Sequence, residues 1–290
     1  MELEKYMQIA IEEAKESLRE GNNGFGAVIV KDGSIIAATH DKEDTQEDPT
    51  SHAEINAIRE ASKKLGKKLS GCILISTHEP CSMCASAIVW AGIKEVAYGY
   101  SIKEAVLQGR KRIELSCAEI FSRAGADIKI FAGILSNECS ILYRKDVRME
   151  IKHLRDADDV ILSELNEDSV CRRTKWFKEN RNSFDFVTND LLDSGYKLLL
   201  ERFHITSEEV PIIGKRDKEI IFHSMNFCPT LEACKILGLD TRYICKRMNE
   251  MSTDILLKQI NPCLRFSRNY DKLRPYSEYC EEMISISTVE

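Results

Sequence analysis

Apolar positions along the chain change their period repeatedly, and the changes predict the elements. In MELEKYMQIAIEEAKESLREG, Ile9, Ala10 and Ala14 recur at helical spacing among glutamates, which predicts an amphipathic first helix. A polar, glycine-rich turn from Gly21 to Gly26 follows. FGAVIVKDGSIIAAT then reads as two apolar runs around Asp32-Gly33, the pattern of a β-hairpin. Beyond the polar loop HDKEDTQEDPT, residues from about Ser51 to Leu65 set Ile55, Ile58 and Ala61 on one helical face. GCILIST predicts a buried strand. Pro80 stands where a helix can begin, and CSMCASAIVWAG keeps helical spacing to a stop at Gly92. KEVAYGYS and DIKIFAGI predict two more strands, with helical material in IKEAVLQGRKRIELSCAEIFSRAG between them. NECSILYRKDVRMEIKHL returns to helix. Strands alternating with helices imply an α/β layer structure with at least partly parallel strands.

From about Asp156 the texture changes. ADDVILSELNEDSVCRRTKWFKENRNSFDF mixes charge and aromatics without clean alternation. The expected division is a domain over 1–150 and a smaller, mainly helical C-terminal domain over 151–290, with a role in ligand binding, substrate positioning or oligomerisation.

Composition narrows the function classes. A 290-residue chain with 43% hydrophobic residues can build a sizeable core, and a net charge of −6 argues against a dedicated nucleic-acid binder. The glutamate-rich start lacks the cationic and apolar regions of a signal peptide, and no run approaches the roughly 18 apolar residues of a membrane span. Eleven cysteines, an odd number, suit a reducing compartment better than a disulfide framework. The expected location is cytoplasmic, with no membrane partner.

The stretch TSHAEINAI has two readings. As structure, Ser51 or Thr50 caps a helix, and Glu54 reaches back from Ser51 to close a capping box. As chemistry, His52 is a metal ligand two residues before a carboxylate. Cys81 and Cys84, a C-x2-C pair on the first turn of the helix after Pro80, decide for chemistry. Their sulfurs can converge, and a helix start favours thiolates. Two thiolates and one imidazole leave the fourth position of a tetrahedral zinc open, as catalysis requires. Glu54 then has a use on the metal's water.

HAE at His52–Glu54 and PCSMC at Pro80–Cys84 match the H-x-E…P-C-x-x-C signature of zinc deaminases. Residues from about 1 to 145 resemble the cytidine deaminase-like superfamily, most of all its guanine, cytosine and tRNA adenosine deaminase branches. The matching pieces are GFGAVIVKDGSIIA, DPTSHAEINAIREA, LSGCILIST, EPCSMCASAIVWAGIKEVAYG and AGADIKIFAGILSNEC. The resemblance implies a three-layer α/β/α domain with a central mixed five-stranded sheet, zinc held by His52, Cys81 and Cys84, and a homodimer or higher homo-oligomer. It also implies hydrolytic release of ammonia from a nucleobase, nucleoside or related aminated heterocycle, through a zinc-activated water with Glu54 as proton shuttle. The backbone N–H of Ala53 would meet the developing carbonyl oxygen, and Phe25 would pack against the base. Trp90 is expected to pack rather than touch substrate. Two departures bear on substrate. Gly24 replaces the proline of the family's PFGA, and Asp41 stands where the branches place an asparagine that reads the base. Facing the pocket, Asp41 either accepts only, as a carboxylate that selects a ring N–H or amino donor, or stays protonated; the alternative is a solvated loop residue in a shifted register.

In the C-terminal region, Cys228, Cys234, Cys245, Cys263 and Cys280, with His223, form no tight pair and read as small core residues. TLEACKILGLDTRYICKRMNE pairs two helices about a Gly238-Leu-Asp turn, the second carrying Arg242, Lys246 and Arg247. It is either a DNA reader or a helical hairpin burying Leu231, Ile236, Leu237 and Ile244. With INPCLRFSRNYDKLRPYSEYCEEMI, FCPTLEACKILGLD faintly resembles domains related to aminothiazoline-carboxylate hydrolases. The alternatives to a small-molecule deaminase are therefore a tRNA-editing adenosine deaminase, and a DNA-binding regulator with a deaminase-like sensor domain.

Overall fold

The computed structural model describes residues 3–287, and the chain divides into two compact units, Met1–Lys152 and His153–Glu290. The first contains α1 (Leu3–Glu20), β1 (Gly26–Lys31), β2 (Ser34–His40), α2 (Ala53–Leu65), β3 (Cys72–His78), α3 (Ser82–Ala91) and β4 (Glu95–Tyr100). After these come α4 (Ile102–Leu107), α5 (Cys117–Arg123), β5 (Lys129–Ala132), α6 (Ser136–Tyr143) and α7 (Lys145–Leu154).

The apolar run of β3 is buried along its whole length because it lies in the middle of the sheet. The strand order is β2-β1-β3-β4-β5. β1 runs antiparallel to β2 and β3, whereas β3, β4 and β5 are parallel. Asp32 and Gly33 both have positive φ, 48° and 76°, which is the backbone twist that a tight hairpin turn demands. Neighbouring residues of β1 point to opposite faces. Ala27 and Ile29 join Ala53, Ala57 and Ala61 of α2 and Ala85, Ile88 and Ala91 of α3 in one core. Gly26 faces α1, and so closely that an added Cβ would sit 1.9 Å from the Ala10 carbonyl oxygen. Helices therefore cover both faces of a mixed five-stranded sheet, the three-layer arrangement expected.

Trp90 departs from expectation, being 78% exposed. The inward stripe of α3 is made by Cys84, Ala85, Ile88 and Ala91, and a residue two positions past Ile88 lies on the far side of the helix.

The second unit contains α8 (Asp159–Asn180), α9 (Leu191–Phe203), β6 (Ile212–Arg216), β7 (Glu219–Ser224), α10 (Pro229–Leu237), α11 (Thr241–Cys245), α12 (Met251–Lys258), β8 (Leu264–Arg268) and β9 (Cys280–Ile286). Helix predominates, as expected, but the reading of the sequence did not place the four-stranded antiparallel sheet β6-β7-β9-β8. Its strands are short and interleaved with charge; β7 buries Ile220, Phe222 and Ser224 on one face only. α10 and α11 do form a pair around Gly238, whose φ is 70°. Leu231, Ile236 and Ile244 are buried between and beneath them, while Leu237 is half-buried. Among the described residues no helix is long and apolar enough to cross a membrane.

Candidate metal centre

α2 and α3 begin with residues in extended backbone geometry, His52 (φ −67°, ψ 154°) and Cys81 (φ −65°, ψ 172°). Each is the cap position of its helix, and neither side chain bonds to the backbone there. Both are thereby free to turn toward each other. The capping box weighed against chemistry at Ser51 is absent, and the cap position belongs to His52 rather than to Ser51 or Thr50. Ser51 Oγ donates to Gln46 Oε1 at 2.8 Å, and Glu54 is turned inward away from the cap. A polar loop with a partner of its own and a buried carboxyl bound elsewhere outcompete that box.

His52 Nδ1 lies 3.6 Å from Cys81 Sγ and 3.5 Å from Cys84 Sγ. Zinc bonds of about 2.3 Å to sulfur and about 2.0 Å to nitrogen, at a tetrahedral angle, place such donors about 3.5 Å apart. The three donor atoms lie within 4.8 Å of one another, the only such group of histidine, cysteine or carboxylate ligands among the described residues. The residues fit the ion in type and spacing. Their titration fits as well. Hydrogen bonds from Cys84 and then His52 hold the Cys81 thiol down at about 4, and Cys84 is pushed well up by Cys81 and burial. His52 is raised to about 9, chiefly by Cys81. The trio thus shares protons that a divalent cation displaces when it binds thiolates and a neutral imidazole.

Glu54 is buried, with Oε1 accepting from Ser76 Oγ at 3.1 Å and Oε2 from the Cys84 thiol at 3.4 Å. Burial raises its pKa above the usual carboxylate range. Ala53 is fully buried at the first position of α2, where a backbone N–H has no partner within the helix.

A cavity of about 520 Å³ opens onto this group. Phe25 lines it, stacked on Tyr143 at 5.1 Å and edge-on to His78 at 5.5 Å. Asp41 is placed differently. It is fully buried, its Oδ1 accepts from the Asn23 backbone N–H at 3.1 Å, and its Oδ2 has no partner among the described residues. Asn23, rather than Asp41, is among the lining residues.

Several participants escaped the sequence reading. Glu43 Oε2 faces His52 Nε2 at 3.7 Å and accepts from Asn23 Nδ2 at 3.2 Å, the kind of carboxylate that orients a ligating histidine. Glu79 accepts from the Ile102 N–H at 2.9 Å and the Cys117 N–H at 3.0 Å, the first residues of α4 and α5. His78 Nδ1 lies 3.0 Å from the Glu79 carbonyl oxygen, and burial lowers the pKa of this ring to about 4. A carbonyl only accepts, so Nδ1 carries the proton. Arg110, Arg112 and Arg148 also line the cavity. The only local signal for any of these was a carboxylate closing an apolar strand, at Glu79.

A sequence model described as the cytidine and deoxycytidylate deaminase zinc-binding region matches residues 1–100. A guanine deaminase of Bacillus subtilis (strain 168) is 46% identical over 111 residues, 38% of this chain and 71% of that protein. A tRNA-specific adenosine deaminase of the same organism is 36% identical over 137 residues, 47% of this chain and 83% of that protein. Its counterpart in Aquifex aeolicus (strain VF5) is 43% identical over 96 residues, 33% of this chain and 64% of that protein.

Proposed function

The chain belongs to the zinc-binding family of cytidine and deoxycytidylate deaminases, and on that premise we propose that its first unit is a hydrolytic deaminase releasing ammonia from a small aminated heterocycle of the nucleobase or nucleoside type. One observation carries the reading: a buried carboxyl, Glu54, stands beside the His52–Cys81–Cys84 donor set at the end of a cavity. His52, Cys81 and Cys84 would hold the zinc. A bound zinc supplies a water acidic enough to lose its proton near neutral pH.

The chain's own residues do the rest. Ser76 fixes Glu54 at Oε1. With Cys84 bound as a thiolate there is no S–H on Oε2, and that oxygen takes and gives the proton. A carboxyl raised by burial suits both halves of this task, first base, then acid toward the ring nitrogen and the departing amine. The Ala53 N–H meets the carbonyl oxygen as it forms, and Phe25 supports one face of the ring. Asp41 acts through Asn23, whose backbone it holds, and so shapes the wall rather than touching the base.

The likeness to tRNA-specific adenosine deaminases supports a second reading, in which the base is presented by RNA. A DNA-binding role for the second unit has less support, since Arg242 is already paired with Asp240 and Arg247 with Asp159. Assembly as a homo-oligomer belongs to the same proposal and is read by sedimentation.

The test is ammonia release by the zinc-loaded full chain from bases, nucleosides, nucleotides and tRNA. Glu54→Gln is expected to keep its zinc and lose roughly 10²- to 10⁴-fold in rate. No release from any of these by the loaded protein, or a Glu54→Gln rate equal to the parent's, overturns the reading.

A further inference from the structure

Three arginines share the cavity with the metal centre but belong to no part of the chemistry described above. Arg110 and Arg112 come from the segment between α4 and α5, Arg148 from α7. Each is half-buried, and each spends its hydrogen bonds on neutral groups. Arg110 donates to the Tyr143 carbonyl and lies over that ring, 5.9 Å from its centre. Arg112 lies 5.5 Å from the centre of the Phe25 ring and donates to the Lys111 carbonyl at 3.2 Å. Arg148 donates to the Asn23 carbonyl at 3.1 Å and to its Oδ1 at 3.5 Å.

None of the three forms an ion pair within the described residues, although the cavity contains carboxylates. Those carboxylates are engaged: Glu79 by two helix starts, Glu43 by Asn23 and His52, Glu54 by Ser76. Asp41 and Asp44 attract Arg148 only from a distance. Burial, then the charges of Arg148 and Arg112, push Arg110 down to about 10, and burial foremost lowers Arg148 as well. Like charges gathered in a half-buried wall are costly until an anion joins them.

We infer that Arg110, Arg112 and Arg148 form a phosphate subsite, so that the substrate is an aminated heterocycle carrying a phosphate monoester, a mononucleotide in chemical class, rather than an uncharged base. The inference rests on the deaminase reading above for the heterocycle, and on the arginines alone for the phosphate. Guanidinium forks match phosphate oxygens in pairs, and three of them line this one cavity. A cavity of about 520 Å³ is of a size that holds such a molecule. A polynucleotide fits less well. The loop carrying Asp41, Glu43, Asp44, Glu47 and Asp48 supplies Glu43 to the cavity lining, and a polyanion requires an extended basic track.

The experiment has a kinetic and a binding arm, both with the zinc-loaded full chain. Ammonia release is compared across base, nucleoside and 5′-monophosphate for guanine, adenine and cytosine, with tRNA alongside. Binding of the same series to Glu54→Gln protein is measured by calorimetry, with inorganic phosphate as competitor. In the series that is turned over, the monophosphate is expected to exceed the nucleoside about 10- to 100-fold in kcat/KM and in affinity. Arg112→Gln and Arg148→Gln should each remove most of that margin, and Arg112→Lys, which keeps charge without the fork, part of it. Monophosphates that bind through the arginines without ammonia release would sink the deaminase reading and leave the subsite standing. Equal affinity for nucleoside and monophosphate in the Arg-intact protein overturns the subsite, and needs no arginine variant to fold. Turnover of tRNA with no mononucleotide binding overturns it too.

Discussion

In Met1–Lys152, two cysteines and a histidine bring their donor atoms within 4.8 Å beside a buried carboxyl; in His153–Glu290, more cysteines gather nothing among the described residues. Cys228 uses its sulfur to accept from the Leu231 N–H at 3.4 Å, Cys234 and Cys245 fill the core, and His223 stacks on Tyr279 while facing Glu281. Buried charge in the second unit is likewise self-contained. Arg173 donates to Ser252 and Thr253 at 2.7 Å each, and Arg268 pairs with Glu282 at 2.6 Å. Residue types alone do not make a site. What differs is the backbone: in the first unit two helix starts, emerging from one side of a sheet, aim their opening residues at one point.

The sharpest break of this contrast is metal analysis of matched alanine variants. Cys84→Ala should lose its zinc and its activity nearly completely, whereas Cys234→Ala, equally buried, should retain stoichiometric zinc. Zinc held by Cys84→Ala, or lost from Cys234→Ala in a folded protein, would erase the distinction between the units. Next in size is Glu282→Ala. Both side chains of its pair with Arg268 are nearly covered (13% and 12% exposed), and stranding the guanidinium should cost about 3–5 kcal/mol in urea unfolding, with zinc content unchanged. A loss under about 1 kcal/mol would mean that the second unit does not depend on its internal charges.

The smallest effect is a pH slope in the first unit. His40 lies between Glu13 (2.8 Å) and Glu20 (3.1 Å), and the Glu13 hydrogen bond foremost raises its pKa. The folded state therefore holds this proton more tightly than the unfolded chain. The resulting stabilisation is complete below the ordinary histidine range and fades as pH rises through the raised folded-state pKa. His40→Asn should flatten that decline in denaturation curves taken between pH 6 and 9 (roughly the range of histidine titration). An unaltered slope would remove His40 from the account.

The His52–Cys81–Cys84 donor set and Glu54 were legible because their relation is local. Each sits at the start of a helix that periodicity reveals, at a spacing the chain itself displays. The central sheet was legible for a similar reason, since β3 opens on an apolar run, Cys72 to Ile75. At the start of α2 only the cap residue was misplaced: Ser51 fits the capping pattern in sequence, but Gln46 takes its side chain, and His52 opens α2. Glu43, His78 and the three arginines were invisible, since nothing within a few residues of Arg112 or Arg148 hints that folding sets them beside Phe25 and Asn23. In the second unit the strands carry so much charge, at Lys215, Arg216, Glu219, Arg265, Arg268, Glu281 and Glu282, that their alternation sank beneath the helical signal.

Glu79 has one further consequence. Its two carboxylate oxygens fasten the first residue of α4 and the first residue of α5, so a single side chain ties down the beginning of the 102–117 segment and its return. It does so two residues before Cys81. The stretch that carries Arg110 and Arg112 is thus a loop pegged at both ends to the edge of the metal centre. Its interior can change without moving His52, Cys81 or Cys84, because the starts of α2 and α3, and not this loop, set where those side chains stand. Residues in this loop can therefore be exchanged to reshape the cavity wall while the His52–Cys81–Cys84 donor set stays in place.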